Sequence, residues 1–559
     1  MFTIKGPNAR AAAQFDTPFA LHQDNWNDYG FKTQYHLYKK VPSGEPEMIG
    51  TVKILRRGQT PADPILIAED FDALPEDFVS VGESFDYYQR LNELVPIEGR
   101  DQVLIALRDA IFNPSLVDDF RDENGWNTSL FRGSSQAGQP REKQDIFLRD
   151  ARAICSGNFT ELPELSEPIR FAPEGWRDAF EVTFDAPDTN PLLAGFVRRR
   201  GPDSLPRRGA VIIGPNGSGK STLLSRLARV AFASPSERTK DTIRTLGVLE
   251  PDGLGFFKII SISYSAFDSF SLPGVYADEF EQIAKDVERG DGRFIYCGLR
   301  DIVAEVRDIL QANAAAQPDT GSLGRLPIAL PERLETVALK SLDQLADEFV
   351  RYVNRIEQKN RDTLFAQAMK LLLADQSFAT LEERSVDALL GESPRAAFLA
   401  WSTGHKIALH VVAALVAHAE NRALVLFDEP ETHLHPPMIA AMMHAVRHVL
   451  EETQAVAVIA THSPVVLQET LARHVRVIRR SADGTTVVQP TAETFGENIG
   501  TLVHDTFGLR ADDTNFHRLL DHLVETNDTV DQMDSYFEPG LSAQARAYVI
   551  ARLAEKEEG

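Results

Sequence analysis

Two hydrophobic periods take turns along this chain. Near the N-terminus Phe31, Thr33, Tyr35 and Leu37 face one way and Lys32, Gln34 and His36 the other, the period of a half-buried strand. Ile49 to Leu55 follows a Pro42-Ser43-Gly44 turn, so the spacing predicts a hairpin. Helical spacing appears at Phe85 to Leu94 and Asp101 to Ile111, which makes residues 1–165 an α+β domain without a chemical motif.

From about Phe180 the pattern changes to continuous apolar runs separated by helices, as in a covered parallel sheet. Ala210 to Ile213, Lys258 to Ser263, Ala423 to Phe427 and Ala455 to Ala460 read as its buried strands, and Thr222 to Phe232 as a helix. Asp483-Gly484 between Val475–Ile478 and Thr485–Val488 signals a second hairpin. Phe270 to Gly391 is mostly helical, with a Pro/Gly-rich break from Gln317 to Pro331 and an amphipathic stretch from Leu334 to Ile356. A helical stretch closes the chain from about Ala511 to Glu557, and no fixed-period repeat appears. The expected order is residues 1–165, a core split into 166–269 and 392–510 by a helical insertion at 270–391, and a helical segment at 511–559.

Candidate chemistry sits at the ends of the apolar strands. Gly214-Pro215-Asn216-Gly217-Ser218-Gly219-Lys220-Ser221 fits the P-loop pattern and lies where that pattern works, after a strand and opening a helix. Asn216, Gly217, Ser218 and Gly219 would bring backbone N–H groups around phosphates, helped by the helix N-terminus that includes Thr222. Lys220 would reach the β- and γ-phosphates and the Ser221 hydroxyl would bind Mg²⁺. The strand Ala423 to Phe427 delivers Asp428 to the same sheet edge as a second Mg²⁺ ligand, with Glu429 as general base for the attacking water. Strand Ala455 to Ala460 leads to Thr461-His462-Ser463, where His462 can bond the γ-phosphate and orient that water.

Composition narrows the partners. Of 559 residues 82 are acidic and 58 basic, a net charge of −24, so bulk attraction to nucleic acid or anionic membrane is excluded. Arg198, Arg199, Arg200, Arg207 and Arg208 are the local exception: either a phosphate contact, to nucleic acid or nucleotide, or a solvated loop. Cys155 and Cys297 form no disulfide framework, no leader pattern opens the chain, and Ile407 to Ala419 is too short and polar to span a bilayer. The cytoplasm is the expected address.

Trp401-Ser402-Thr403-Gly404-His405-Lys406, just before the Asp428 strand, resembles the ABC signature, with Trp401 and His405 departing from its common form. The order P-loop, signature, Asp-Glu-Pro and switch histidine is similar to that of ABC-type ATPases. The resemblance implies an α/β fold, an ABC-type P-loop ATPase head. Ser402 and Gly404 would bind the γ-phosphate held by a second subunit, ATP would join two heads, and hydrolysis would part them. It also implies a glutamine after Ser263, where the chain reads Tyr264-Ser265-Ala266-Phe267-Asp268; Ser265 and Asp268 are the candidates to replace it. Trp176 and Phe180 are candidates to stack on adenine, with core packing the alternative.

The run Asp428 to Pro436 resembles the soluble group containing RecF, SMC and OLD proteins. About 180 residues between Thr222 and Trp401 without sustained heptads exclude a long SMC arm. The 69 residues after Pro490 are too few and too helical for the nuclease of OLD proteins, and Asp512-Asp513 has no preceding strand. The remaining resemblance, including Phe495 to Gly500, is to Septu-type antiviral ATPases, which implies a homodimer of heads regulating a separate HNH nuclease subunit. A RecF-like DNA repair ATPase and a non-hydrolysing ATP-bound scaffold are the alternatives. His433 and His435, near Glu431, suit either a zinc site lacking a fourth ligand or a loop crossing the dimer interface.

Overall fold

The apolar runs form one seven-stranded sheet. In the computed structural model its order is Phe294–Gly298, Lys258–Ser263, Ala423–Asp428, Val456–Ala460, Gly209–Ile213, Val475–Ser481 and Gly484–Val488. All neighbours are parallel except the last pair, the predicted hairpin around Asp483-Gly484. Parallel register brings the carboxyl ends of four consecutive strands, at Ser263, Asp428, Ala460 and Ile213, to one edge. Alternate strand residues Ala210, Ile212, Leu424, Leu426, Val456 and Val458 pack with Leu223, Leu224 and Leu227 of helix Lys220–Phe232, covering one face. The fold is α/β, with helices packed on a mostly parallel sheet.

Residues 1–6, 15–41, 46–63, 67, 70–132, 138–158, 162, 165, 168–184, 205–233, 237–251, 254–266, 268–316, 328, 331–374, 389–391, 393–507 and 516–558 are described. They fall into two units, Met1–Phe495 and Gly496–Gly559. In the second, helices Phe516–Thr526, Val530–Asp534 and Ala543–Glu558 enclose Leu520, Val524, Met533 and Val549. It also contains Ile499–Phe507, ahead of the helical stretch expected from about Ala511. Arg198, Arg199, Arg200, Phe267, Asp512 and Asp513 lie outside the described residues.

The first predicted hairpin is present: Gln34–Lys39 pairs antiparallel with Glu47–Arg56 inside a six-stranded sheet. Its alternation is imperfect because Gln34 is buried, donating to Asp24. The helix expected at Asp101 to Ile111 runs instead over Ile97–Ala106 and stops before Arg108, whose φ of 51° no regular helix accommodates. Leu334 to Ile356 begins its helix only at Leu342, where Ser341 and Gln344 close a capping box. The segment 270–391 also contributes the edge strand Phe294–Gly298, five buried residues without the alternation that marks a half-buried strand.

The leading sheet and its helices share a core running from Phe2 to Leu162, into which Phe257 of the ATPase part also packs. Charge ties the two parts together. Arg90 of helix Phe85–Leu94 donates to Asp286 at 2.5 Å and to the carbonyls of Met48 and Ile49, while Arg293 bonds Asp86 and the carbonyls of Ala231, Phe232 and Phe256. Breaking a buried pair strands one charge, so Arg90→Met is expected to cost about 3–5 kcal/mol in a guanidinium titration. Arg90→Met with Asp286→Leu should regain most of it. Among the described residues no helix is long and apolar enough to cross a membrane.

Candidate nucleotide-binding site

The site grows from a loop that only glycine can close. Gly217 and Gly219 have φ of 76° and 105°, and a Cβ on Gly214 would sit 2.4 Å from the Ile478 carbonyl oxygen. Helix Lys220–Phe232 starts directly after Gly219, which leaves its first N–H groups facing the loop. Asn216 and Gly217 are exposed at the tip, Thr222 is half-buried, and Ser218 is buried with its hydroxyl unpaired.

Lys220 turns back into this loop. Its Nζ donates to the carbonyls of Gly214 and Pro215 at 3.0 and 3.3 Å, and lies 2.7 Å from His462 Nε2. Burial pulls its pKa below the ordinary lysine range, against the upward pull of Asp428, Glu429 and Glu431. His462 is pushed down to about 4 by burial and by the Lys220 charge, so its imidazole is neutral. The Ser221 hydroxyl donates to Asp428 at 3.1 Å. Burial, with help from Asp268 and Glu429, raises the Asp428 carboxyl to about 7, while Ser221 and Lys220 hold it down. A hydroxyl beside a carboxylate oxygen is the donor set Mg²⁺ prefers.

Glu429 follows with φ of 51°, its N–H bonded to the Ala460 carbonyl at 2.8 Å. The neighbouring strand fixes this left-handed turn, which leaves Glu429 Oε1 3.8 Å from His462 Nε2. Glu431 was not singled out for this site from the sequence. It accepts from the His462 backbone N–H at 2.5 Å and the Thr461 hydroxyl at 2.7 Å, so it joins the two strand ends. Its place three residues beyond Asp428 was the available signal, but a third carboxylate in a loop has no pattern of its own.

Trp176 lies against the loop: a Cβ on Gly219 would meet its Cζ2 at 3.1 Å. Phe180 is fully buried in the core. Ser402 caps helix Thr403–His418, its Oγ 2.8 Å from His405 Nδ1, and stays exposed, while Trp401 is buried against the His405 ring. Gly404 faces the carbonyl of His433, so the signature turn and the Asp428 loop are neighbours. His435 caps the next helix through Nδ1, and no group of three or more metal-ligating side chains occurs among the described residues. The zinc alternative for His433 and His435 is dropped. Arg208 also leaves the expected basic patch: it is buried, paired with Glu451 at 3.4 Å and bonded to Gln454.

A glycine-closed loop between strand and helix, with Asp428 and His462 on adjacent strand ends of the same parallel sheet, defines a P-loop ATPase of ABC/AAA type. The chain belongs to the family of Protein ea59 of Escherichia phage lambda: the two are 30% identical over 575 residues, 96% of this chain and 95% of that protein. Residues 210–468 match the family described as "AAA domain, putative AbiEii toxin, Type IV TA system". Septu protein PtuA of Bacillus thuringiensis is 21% identical over 358 residues, 58% of this chain and 83% of that one. Among solved structures, an ATP-binding cassette of an ABC transporter in its ADP conformation aligns with 61% of this chain and 95% of its own, at 14% identity and TM-score 0.25. An Smc head bound to the winged-helix domain of ScpA aligns with 58% and 97%, at 12% and 0.26.

Proposed function

We propose that the chain is a cytoplasmic, Mg²⁺-dependent ATP hydrolase whose heads pair on ATP and regulate a separate nuclease or effector subunit in bacterial antiviral defence. The observation that carries the reading is the meeting of Lys220, Ser221, Asp428, Glu429 and His462 at one sheet edge. The backbone N–H groups of residues 216–219 and the Lys220 ammonium would bind the phosphates. Ser221 and Asp428 would hold Mg²⁺, which when bound neutralises phosphate charge. Glu429 takes the proton of the attacking water, and neutral His462, fixed through its backbone by Glu431, orients that water.

Pairing of heads is supported by the exposed Ser402 and its Gly404 neighbour, which present the signature turn outward for a second copy. The similarity to Septu protein PtuA supports the resemblance to Septu-type antiviral ATPases, and it is that resemblance which implies the antiviral role and an HNH-type partner. A RecF-like role in binding DNA loses Arg208, which is committed to Glu451 and Gln454.

The test is native mass spectrometry of the tagged full chain, expressed with its flanking genes and carrying Glu429→Gln. ATP should shift it from single heads to pairs that carry a second, nuclease-like polypeptide. Heads that stay single with ATP would sink the pairing, and pairs without a partner would sink the effector role.

A further inference from the structure

A cleft of about 830 Å³ opens among helices Ala277–Arg289, Ile302–Ala316 and Leu342–Gln358 of the helical insertion. Three cations line it, Arg307, Lys340 and Arg351, beside four carboxylates. Three of those carboxylates are engaged. Asp347 accepts from Arg395 at 2.8 Å, Glu348 from Lys340 at 2.7 Å, and Asp301 from the Gln344 amide at 2.8 Å and the Ala304 N–H at 3.1 Å. The fourth, Glu288, is exposed to water. The two arginines are not engaged: among the described residues no carboxylate pairs with either, and Arg351 Nε is buried without a hydrogen bond. In a chain of net charge −24, two such cations in one cleft call for an anion from outside.

A purely structural role for Arg351 is the competing account. Its stem rests on Gly290, which ends helix Ala277–Arg289, and a cation there can cap the last carbonyls. Arg355 already does this, donating to the Gly290 carbonyl at 3.4 Å, while Arg351 makes no such bond. What remains is a pair of guanidinium forks with a lysine beside them. Such forks hold phosphate oxygens two bonds at a time, with a geometry that a lone ammonium does not offer. The volume of the cleft suits a small ligand.

We propose that this cleft binds a small phosphate-bearing anion through Arg307 and Arg351, and that Lys340 passes its presence on to the nucleotide edge. Lys340 faces two ways. It pairs with Glu348 in the cleft, and it lies 5.5 Å over the Tyr296 ring, whose hydroxyl donates to the Ser263 carbonyl at 3.2 Å. Ser263 is in register with Asp428. A phosphate that draws Lys340 away also frees Glu348 for His410, whose Nε2 is 3.5 Å from it, looser than an ordinary hydrogen bond. His410 Nδ1 in turn meets the Tyr264 hydroxyl at 2.6 Å, one residue beyond Ser263. Two buried routes thus join the cleft to one strand end. Binding in the cleft stands apart from the function proposed above, and only its effect on turnover rests on that reading.

The experiment is calorimetric titration of the full chain with inorganic phosphate and with ribose 5-phosphate, in saturating Mg²⁺-ADP so that neither probe enters the P-loop. Arg307→Gln and Arg351→Gln are each expected to weaken binding about tenfold and to leave ADP affinity unchanged. Arg307 is exposed, so its substitution keeps the test open if Arg351→Gln misfolds. Tighter binding of the sugar phosphate identifies an organic phosphate as the ligand, and equal affinity identifies the free ion. A parent chain that binds neither probe, or a folded Arg307→Gln chain that binds as the parent does, overturns the site. The bound probe should also change the parent's ATP turnover by an amount that Arg307→Gln loses. Binding without that change overturns the link through Lys340. A parent chain that turns over no ATP overturns the proposed hydrolase and leaves the titration to decide the cleft.

Discussion

Glu429→Gln is expected to hold ATP as tightly as the parent chain and to release phosphate about 10²–10⁴ times more slowly. Glutamine keeps the size of the side chain and can keep the left-handed backbone, whose N–H is tied to the Ala460 carbonyl. It loses only the ability to accept a proton. A non-glycine residue in that conformation costs about 1–3 kcal/mol and persists where its surroundings impose it. Here the imposed turn carries the carboxylate off the line of strand Ala423–Asp428 and toward His462, 3.8 Å away. On the proposed reading the phosphates would meet the loop and Lys220 rather than Glu429, so binding should not change. Phosphate release by single turnover, beside titration with a fluorescent ATP analogue, separates the two quantities. Undiminished turnover in the variant would remove Glu429 from the chemistry.

Much of this site was legible because its parts obey local rules. Gly217 and Gly219 announce a backbone that only glycine forms readily, and the apolar runs before Gly214, Asp428 and Thr461 announce buried strands that end together. What escaped notice depends on contacts between distant segments. Glu431 holds His462 across a separation of 31 residues, and Asp286 receives Arg90 across 196. Neither pair leaves a pattern within a window of sequence. The strand Phe294–Gly298 was missed for a related reason. Buried throughout, it shows no alternation, and its apolar run is too short to tell from a helical turn. Arg208 shows the converse error, because a charge beside other charges reads as a surface patch until its partners Glu451 and Gln454 arrive from another helix end. The sheet of the leading domain was legible only as one hairpin, since its parallel pair Phe2–Lys5 and Phe19–Gln23 is not a hairpin and leaves no two-residue turn pattern between paired strands.

Lys220→Met is expected to abolish ATP-dependent stabilisation and turnover while leaving the nucleotide-free chain at least as stable as its parent. The ammonium occupies a position that suits phosphate better than protein. It is buried, its partners are the carbonyls of Gly214 and Pro215 and the ring of His462, and burial has lowered its pKa against the pull of three carboxylates. A buried cation on neutral acceptors pays desolvation without a directly bonded anion in return. Methionine keeps an unbranched apolar stem against the loop and removes the charge. In the parent chain, ATP at a hundred times its Kd should raise stability by about 2.7 kcal/mol. That increment measures binding alone, independent of any hydrolysis, so it reads the loop directly. Thermal unfolding with and without Mg²⁺-ATP gives both halves of the expectation. A variant that still gains stability from ATP would mean that the loop's backbone N–H groups suffice to hold the nucleotide. A nucleotide-free variant that melts early would instead make Lys220 a structural clasp joining the loop to His462, with the site's poised geometry depending on it.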